Sequence, residues 1–326
     1  MSVDAKDRLG GYDKLDLTYK VINETSLQAT ILTPKVLQSQ PSGSYPTLVR
    51  WHGGGFIVGH RLYEGWFALW LLEFALSKNA IIITADYRLI PGASGTEILS
   101  DITTFWTWLH GTLPSISETW HAEPDLNRIA CCGESAGGYL AVFSALLVPG
   151  SKIKAIISDS AALNFDVSDL KVPRPRVMMG TRPPPPRQAE ALIRAYLKKF
   201  KEDGAKTRTG CEPGELWELT LCIFQQAYLP RLWWVKGEST PLSLMQGIER
   251  EEESKRMKPI WVIHGMNDTM VGSAASTTFV RRLEEVLPST PVLMNLEVGD
   301  HMFDLQYRMD VDWIKKGCEF IEKYWI

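Results

Sequence analysis

The 326-residue sequence is short of several features, and each shortage excludes a class of protein. Its five cysteines are an odd number and nowhere form a Cys-x-x-Cys pair, so neither a disulfide framework nor a zinc or redox motif is expected. Cys131 and Cys132 are neighbours in an apolar run and would point to opposite faces of a strand as small core residues. No run approaches the roughly 18 uncharged apolar residues that span a membrane. The first residues, MSVDAKDRLGGYDKLDL, lack the apolar centre of a signal peptide. There is no excess of positive charge: Lys and Arg total 35 against 38 Asp and Glu, and the signs are mixed, so no nucleic-acid partner is expected. Lys198, Lys199 and Lys201 read as a solvated helix face. Internal repeats with periods of about 20–50 residues are absent too. These exclusions leave a soluble protein of a reducing compartment, expected in the cytoplasm.

What the sequence does contain is a recurring unit: an apolar strand, a short turn and an amphipathic helix. LDLTYKVI and LQATILTP alternate and are joined by a turn at residues 23–25, which predicts a hairpin. YPTLVRW, AIIITADY, residues 128–132 and IKAIISDS read as buried strands, with helices over residues 65–77, 98–109 and 136–147 between them. The rhythm stops near Phe165. VPRPRVMMGTRPPPPRQ cannot sit in a central strand, because proline offers no N–H. Two or three amphipathic helices follow. The rhythm resumes at PIWVIHG and continues through PVLMNLEV to a last helix. The expected fold is therefore α/β: a mostly parallel eight-stranded sheet with helices on both faces. Residues 1–164 and 259–326 would form the core, and 165–258 a helical lid inserted after the sixth strand.

In such sheets chemistry collects at the C-terminal strand ends. Gly133-Glu-Ser135-Ala-Gly137 stands where a strand becomes a helix. Glycines two residues either side permit a sharp, strained turn that displays the serine hydroxyl at a helix N-terminus. WHGGGFIVG, around Gly53, Gly54 and Gly55, follows another strand and would let backbone N–H groups approach a reacting carbonyl. It lacks the Gly-Lys-Ser/Thr of a phosphate loop. His52 reads as a structural hydrogen-bonding residue. The base for Ser135 is expected to be His301, just past the last strand, with His264 as the other candidate at a strand end. The acid that orients the imidazole is expected to be Asp268, in HGMNDTMV, with Asp159 as the alternative. Asp300 adjoins His301 and would point away from it. His60, His110 and His121 have no strand end nearby and read as surface residues.

HGGGF, DYRLIP, GESAGG, an Asp after the seventh strand and HMF after the eighth occur in that order, and together they resemble the hormone-sensitive-lipase-like α/β-hydrolase esterases. The resemblance runs from about Leu15 to the C-terminus and is weakest in the lid. It implies a carboxylesterase with Ser135, Asp268 and His301 as its triad. It also implies an oxyanion hole made by the N–H groups of Gly54, Gly55 and Ala136, and bracing roles for Asp86, Tyr87 and Arg88. The sequence departs from the family at DYRLIPGASG, where members usually continue DYRLAPE, and its first strand begins without the N-terminal helical cap many members carry. Relatives of this type occur in fungal natural-product pathways, some act as dehydratases, and some are ligand receptors that have lost the histidine. The expected partner is a small apolar ester or lactone, with no cofactor or metal, and a homodimer is compatible with the sequence. Twelve tryptophans, Trp66, Trp70, Trp233 and Trp234 among them, suggest an aromatic-walled pocket. Acyl transfer, cyclisation or dehydration at the same triad, or a silent receptor, are the alternatives to hydrolysis.

Overall fold

The computed structural model describes residues 3–166, 168–234 and 243–326. Eight strands form one sheet: β1 (Tyr12–Ile22), β2 (Thr25–Pro34), β3 (Gly43–Trp51), β4 (Ile81–Ala85), β5 (Ala122–Glu134), β6 (Ile153–Asp159), β7 (Ile260–Gly265) and β8 (Val292–Glu297). Their spatial order is β1-β2-β4-β3-β5-β6-β7-β8. β2 pairs antiparallel with β1 and β4, and every other pairing is parallel. The hairpin between β1 and β2 turns on Asn23 and Glu24, both at positive φ, the geometry of a tight two-residue connection.

The central strands are buried on both faces, and their residues divide between two cores by alternation. On β4, Ile81 and Ile83 join one core while Ile82 joins the other. Cys131 and Cys132 separate in the same way. Helix α1 (Leu69–Ser77) covers one face together with the last helix of the chain. Helices α2 (Gly95–Gly111), α3 (Leu113–Ser117) and α4 (Ala136–Leu147) belong to the other face. Ser94 and Glu97 cap α2 reciprocally, which fixes its start. Helix α1 begins later than the apolar pattern from Gly65 suggests. Residues Glu64–Trp66 form a separate 3-10 turn, and the first N–H groups of α1 donate to the carbonyls of Leu305 and Tyr307.

Between β6 and β7 the described residues add no strand to the sheet. They form α5 (Ser168–Lys171), α6 (Pro186–Glu202), α7 (Trp217–Gln225), α8 (Leu229–Trp233), α9 (Leu244–Glu249) and α10 (Glu251–Ser254), more helical segments than the sequence pattern separates. α6 starts on Pro186, whose missing N–H costs nothing at a first helical position. It buries Ala189 and Ile193 and leaves Lys198, Lys199 and Lys201 exposed. The α6–α8 segments add Ile193, Phe224 and Trp233 to the core on the α4 face, over the C-terminal strand ends. The chain closes with α11 (Ala274–Val286), β8 and α12 (Asp312–Trp325).

Candidate active site

The turn from β5 into α4 holds Ser135 at φ 55° and ψ −118°, a region an L-residue occupies only when its surroundings force it there. The surroundings are specific. Ser135 N–H donates to the Asp159 carbonyl at 2.8 Å, tying the turn to β6. A Cβ on Gly137 would lie 2.0 Å from the Trp51 carbonyl oxygen, so only glycine lets α4 start this close to β3. The serine is thus displayed at the sheet edge, and it is 6% exposed.

The loop after β3 passes beside it. Gly54 and Gly55 have φ of 96° and 61°, and Gly53 N–H donates to Glu134 Oε1 at 2.8 Å. Tyr87 donates its hydroxyl to the His52 carbonyl at 2.7 Å and stacks on the His52 ring. Asp86 accepts from Arg61, and Arg88 is held by Asp101 and Glu97, so all three residues brace the loops. His52 is fully buried, its Nδ1 is 2.9 Å from its neighbour's carbonyl, and burial lowers its pKa to about 3. It is a neutral structural group. Among the described residues, the N–H groups of Gly54, Gly55 and Ala136 have no acceptor outside their own elements. Gly54 and Gly55 line one cavity with Ser135, and Gly55 and Ala136 line another with it.

His301 lies beyond β8 with Nε2 2.9 Å from Ser135 Oγ. Its Nδ1 is 2.7 Å from Asp268 Oδ2. The other oxygen, Oδ1, accepts the N–H groups of Met270 and Val271 at 2.8 and 2.7 Å, which fixes the carboxylate plane. Burial alone would raise the Asp268 pKa, but the facing His301 and His264 rings hold it well below the ordinary carboxylate range. Asp268 therefore stays ionised, and an ionised acceptor keeps His301 protonated on Nδ1 and leaves Nε2 free to take the serine proton.

The alternatives go elsewhere. His264 is fully buried behind Asp268: its Nδ1 is 2.8 Å from Ser276 Oγ, and its Nε2 is 2.9 Å from the Val271 carbonyl and 3.2 Å from Asp268 Oδ2. It supports the carboxylate and does not reach Ser135. Asp159 accepts from the Ser160 hydroxyl at 2.9 Å and faces Asp304 rather than the imidazole. Asp300 turns to the Thr269 N–H and hydroxyl. His60 and His110 are half-buried rather than plain surface residues, and His121 is exposed but, contrary to expectation, stands directly before β5, at the strand end opposite Ser135. Sequence reasoning missed Glu134 as a bridge between Arg50 and the glycine loop, the Ser276–His264 support, and Asp304. Asp304 carries a local signal, three residues beyond His301, but its partners are remote.

Two cavities meet at Ser135. One is narrow and walled by Phe56, Tyr139, Phe165, Leu170, Phe224 and Leu229. The other is also narrow and is walled by Trp66, Met179, Trp217, Phe224, Met270 and Met302. Neither wall carries Lys, Arg, Asp or Glu. A roomier cleft of about 340 Å³ lies among Asn127, Lys152, Lys154 and Lys258, at the opposite end of the strands from the serine. Among the described residues no group of His, Cys, Asp and Glu is arranged to hold a metal ion.

The α/β-hydrolase fold family matches residues 48–286, most of the chain and both glycine motifs. The chain belongs to that family. This α/β hydrolase is similar along its whole length to the probable carboxylesterase M8 of a Phoma species, at 44% identity covering 100% of both chains. It is 47% identical to the probable carboxylesterase clz11 of Cochliobolus lunatus, over 63% of this chain and 91% of that one. Among solved structures, the Pyrococcus furiosus esterase Pf2001 superposes with a TM-score of 0.56 at 16% identity, covering 98% of this chain and 93% of that one, a likeness of fold. No helix among the described residues is long and apolar enough to cross a membrane.

Proposed function

We propose that this α/β hydrolase is a serine esterase that cleaves an uncharged small-molecule carboxylic ester through an acyl-enzyme on Ser135. The observation that carries the reading is the relay from Asp268 Oδ2 to His301 Nδ1 at 2.7 Å and from His301 Nε2 to Ser135 Oγ at 2.9 Å. The ester binds with its carbonyl oxygen toward the N–H groups of Gly54, Gly55 and Ala136. Ser135 Oγ attacks the carbonyl carbon as its proton passes to His301 Nε2. The tetrahedral oxyanion is stabilised by these fixed donors, whose individual loss typically costs about 3–4 kcal/mol. Asp268 remains ionised and balances the imidazolium. His301 then protonates the leaving alcohol oxygen. Water, deprotonated by the same imidazole, attacks the acyl-enzyme and releases the acid.

The uncharged substrate follows from the walls, since a charged group there would lose water and gain no partner. Met179, Trp217 and Phe224 belong to residues 165–258, which supports a lid role for that segment over the core formed by 1–164 and 259–326. The five free cysteines suit a reducing compartment such as the cytoplasm. The test is hydrolysis of nitrophenyl esters across acyl lengths by the wild type and by Ser135→Ala. The wild type should favour short and medium acyl groups, and Ser135→Ala should lose several orders of magnitude. A Ser135→Ala rate within tenfold of wild type would overturn the proposal. Free acid should remain the main product when an alcohol acceptor is added, which separates hydrolysis from acyl transfer.

A further inference from the structure

Beside the serine turn lies a small pocket walled by Trp66, Trp70, Leu71, Glu134, Asp159 and Asp304. Asp159 ends β6, and its carbonyl holds the Ser135 N–H. Asp304 sits three residues beyond His301 and is fully buried. Asp304 Oδ2 accepts the Trp70 indole N–H at 2.6 Å. Its Oδ1 meets no N–H or hydroxyl donor among the described residues. Yet the carboxyls of Asp304 and Asp159 are within hydrogen-bonding contact. Two carboxylates are acceptors only, so a hydrogen bond between them requires a proton on one.

We infer that Asp159 and Asp304 share one proton in a buried acid pair, and that this pair makes Asp304 a positioning residue for His301. The inference rests on the esterase reading for its kinetic consequence, but not for the shared proton itself.

The groups around the pair donate few hydrogen bonds to it. Glu134, on β5, faces Asp304 and is itself bonded to Arg50 Nη2 at 2.6 Å, while Arg50 Nε and Nη1 hydrogen-bond neither aspartate nor any other described residue. Trp70, on α1, offers one neutral donor. Ser160 donates to Asp159 Oδ1 at 2.9 Å. His301, on Asp304's own loop, is the remaining titratable neighbour. Burial raises the pKa of both aspartates, and their mutual repulsion raises that of Asp159 further.

The connections explain why the pair acts on the imidazole. The Ser160 hydroxyl that donates to Asp159 accepts the Met302 N–H at 3.1 Å, and Met302 follows His301 at a φ of 55°. Asp304's own carbonyl accepts the Tyr307 N–H at 2.8 Å, and the Leu305 and Tyr307 carbonyls receive the first N–H groups of α1. The His301 loop is therefore fastened at two points. One is the strand end that holds Ser135, and the other is the start of α1. Removing the shared proton puts two repelling charges at the first fastening and lets His301 Nε2 drift from Ser135 Oγ.

Asp304→Asn supplies an N–H in place of the proton and cannot titrate, whereas Asp304→Ala removes the contact. Isotope-edited infrared spectroscopy on protein labelled with ¹³C-carboxyl aspartate reads the proton directly. A protonated-carboxyl band should appear in the wild type at neutral pH and vanish in both Asp159→Asn and Asp304→Asn. Its absence from the wild type overturns the shared proton whether or not the chain is an esterase. In ester hydrolysis, Asp304→Ala should lose kcat by on the order of 10–100-fold, the cost of a misplaced catalytic group, with KM changed little. Asp304→Asn should recover most of that loss and, unlike the wild type, keep its rate as the pH is raised through the pair's titration. Wild-type kcat and pH profile in Asp304→Ala overturn the positioning role. If the wild type shows the band but no ester hydrolysis, the acid pair stands and the esterase reading falls.

Discussion

Replacing Asp268 by asparagine removes one charge at nearly constant shape, together with the contact Oδ2 makes to His264 Nε2, and the structure dictates which way the amide turns. Two backbone N–H groups, of Met270 and Val271, point at Oδ1 at 2.8 and 2.7 Å. The amide must keep its oxygen there, so its NH2 occupies the position of Oδ2, 2.7 Å from His301 Nδ1. A donor now faces Nδ1. The imidazole answers by moving its proton to Nε2, the atom that must accept from Ser135. The enzyme then has a folded site in the wrong tautomer with no counter-charge for the imidazolium. The expected loss in kcat is about 10⁴-fold, roughly 5 kcal/mol of transition-state stabilisation. KM should change little, because Asp268 itself lines neither cavity. The assay is steady-state hydrolysis of a nitrophenyl ester, with circular dichroism and thermal melting to verify the fold. Since the groups act as a unit, Asp268→Asn combined with Ser135→Ala should lose no more than Ser135→Ala alone. A loss below tenfold in a correctly folded Asp268→Asn would refute the reasoning, and so would full additivity in the double variant.

Gly55→Ala forces a side chain onto a residue at φ 61° and brings its Cβ within 2.7 Å of the Phe224 ring. Its kcat should fall about 10²-fold as the N–H swings off the oxyanion position, with thermal melting measured alongside to verify the fold. Phe224→Ala joins the two cavities that Phe224 walls, so kcat/KM should shift toward longer acyl groups in a nitrophenyl ester series. Burial raises the Glu134 carboxyl from 4.5 to about 7. The folded state therefore binds this proton more tightly than the unfolded state, and the associated stability is fully present below 4.5 and lost as pH rises through about 7. The swing is about 3 kcal/mol, and Glu134→Gln should flatten that part of a denaturation-versus-pH curve. Asp268 carries the opposite sign: its depressed pKa contributes stability above the ordinary carboxylate range that is lost on acidification, and Asp268→Asn should flatten the acid limb.

What could be read from the sequence was local chemistry in a regular frame. The serine turn and the glycine loop announce themselves because backbone crowding demands glycine within a few residues of the reacting group, as the approach of Gly137 to Trp51 illustrates. The parallel sheet was legible because β4 and its neighbours are apolar on both faces. The helices of the insertion were only partly legible. Their apolar stripes are short and interrupted by proline, and packing against Phe56 and Tyr139, far away in sequence, decides their boundaries. His264 looked like a rival base because it also ends a strand. Its actual role depends on Ser276 and on the direction its ring faces, neither of which is a sequence pattern. The acid pair was hidden for the same reason: Asp159 and Asp304 come from opposite sides of the insertion and meet only after the sheet forms.

The most direct measurement of the central claim is covalent labelling of the intact protein with a fluorophosphonate ester, followed by peptide mass spectrometry. Convergence of Ser135, His301 and Asp268 predicts one adduct per chain, on the peptide containing Ser135, formed rapidly in the wild type and at least about 10³-fold more slowly in His301→Ala. An adduct on any other residue, or equal labelling of Ser135 with and without the imidazole, would contradict it.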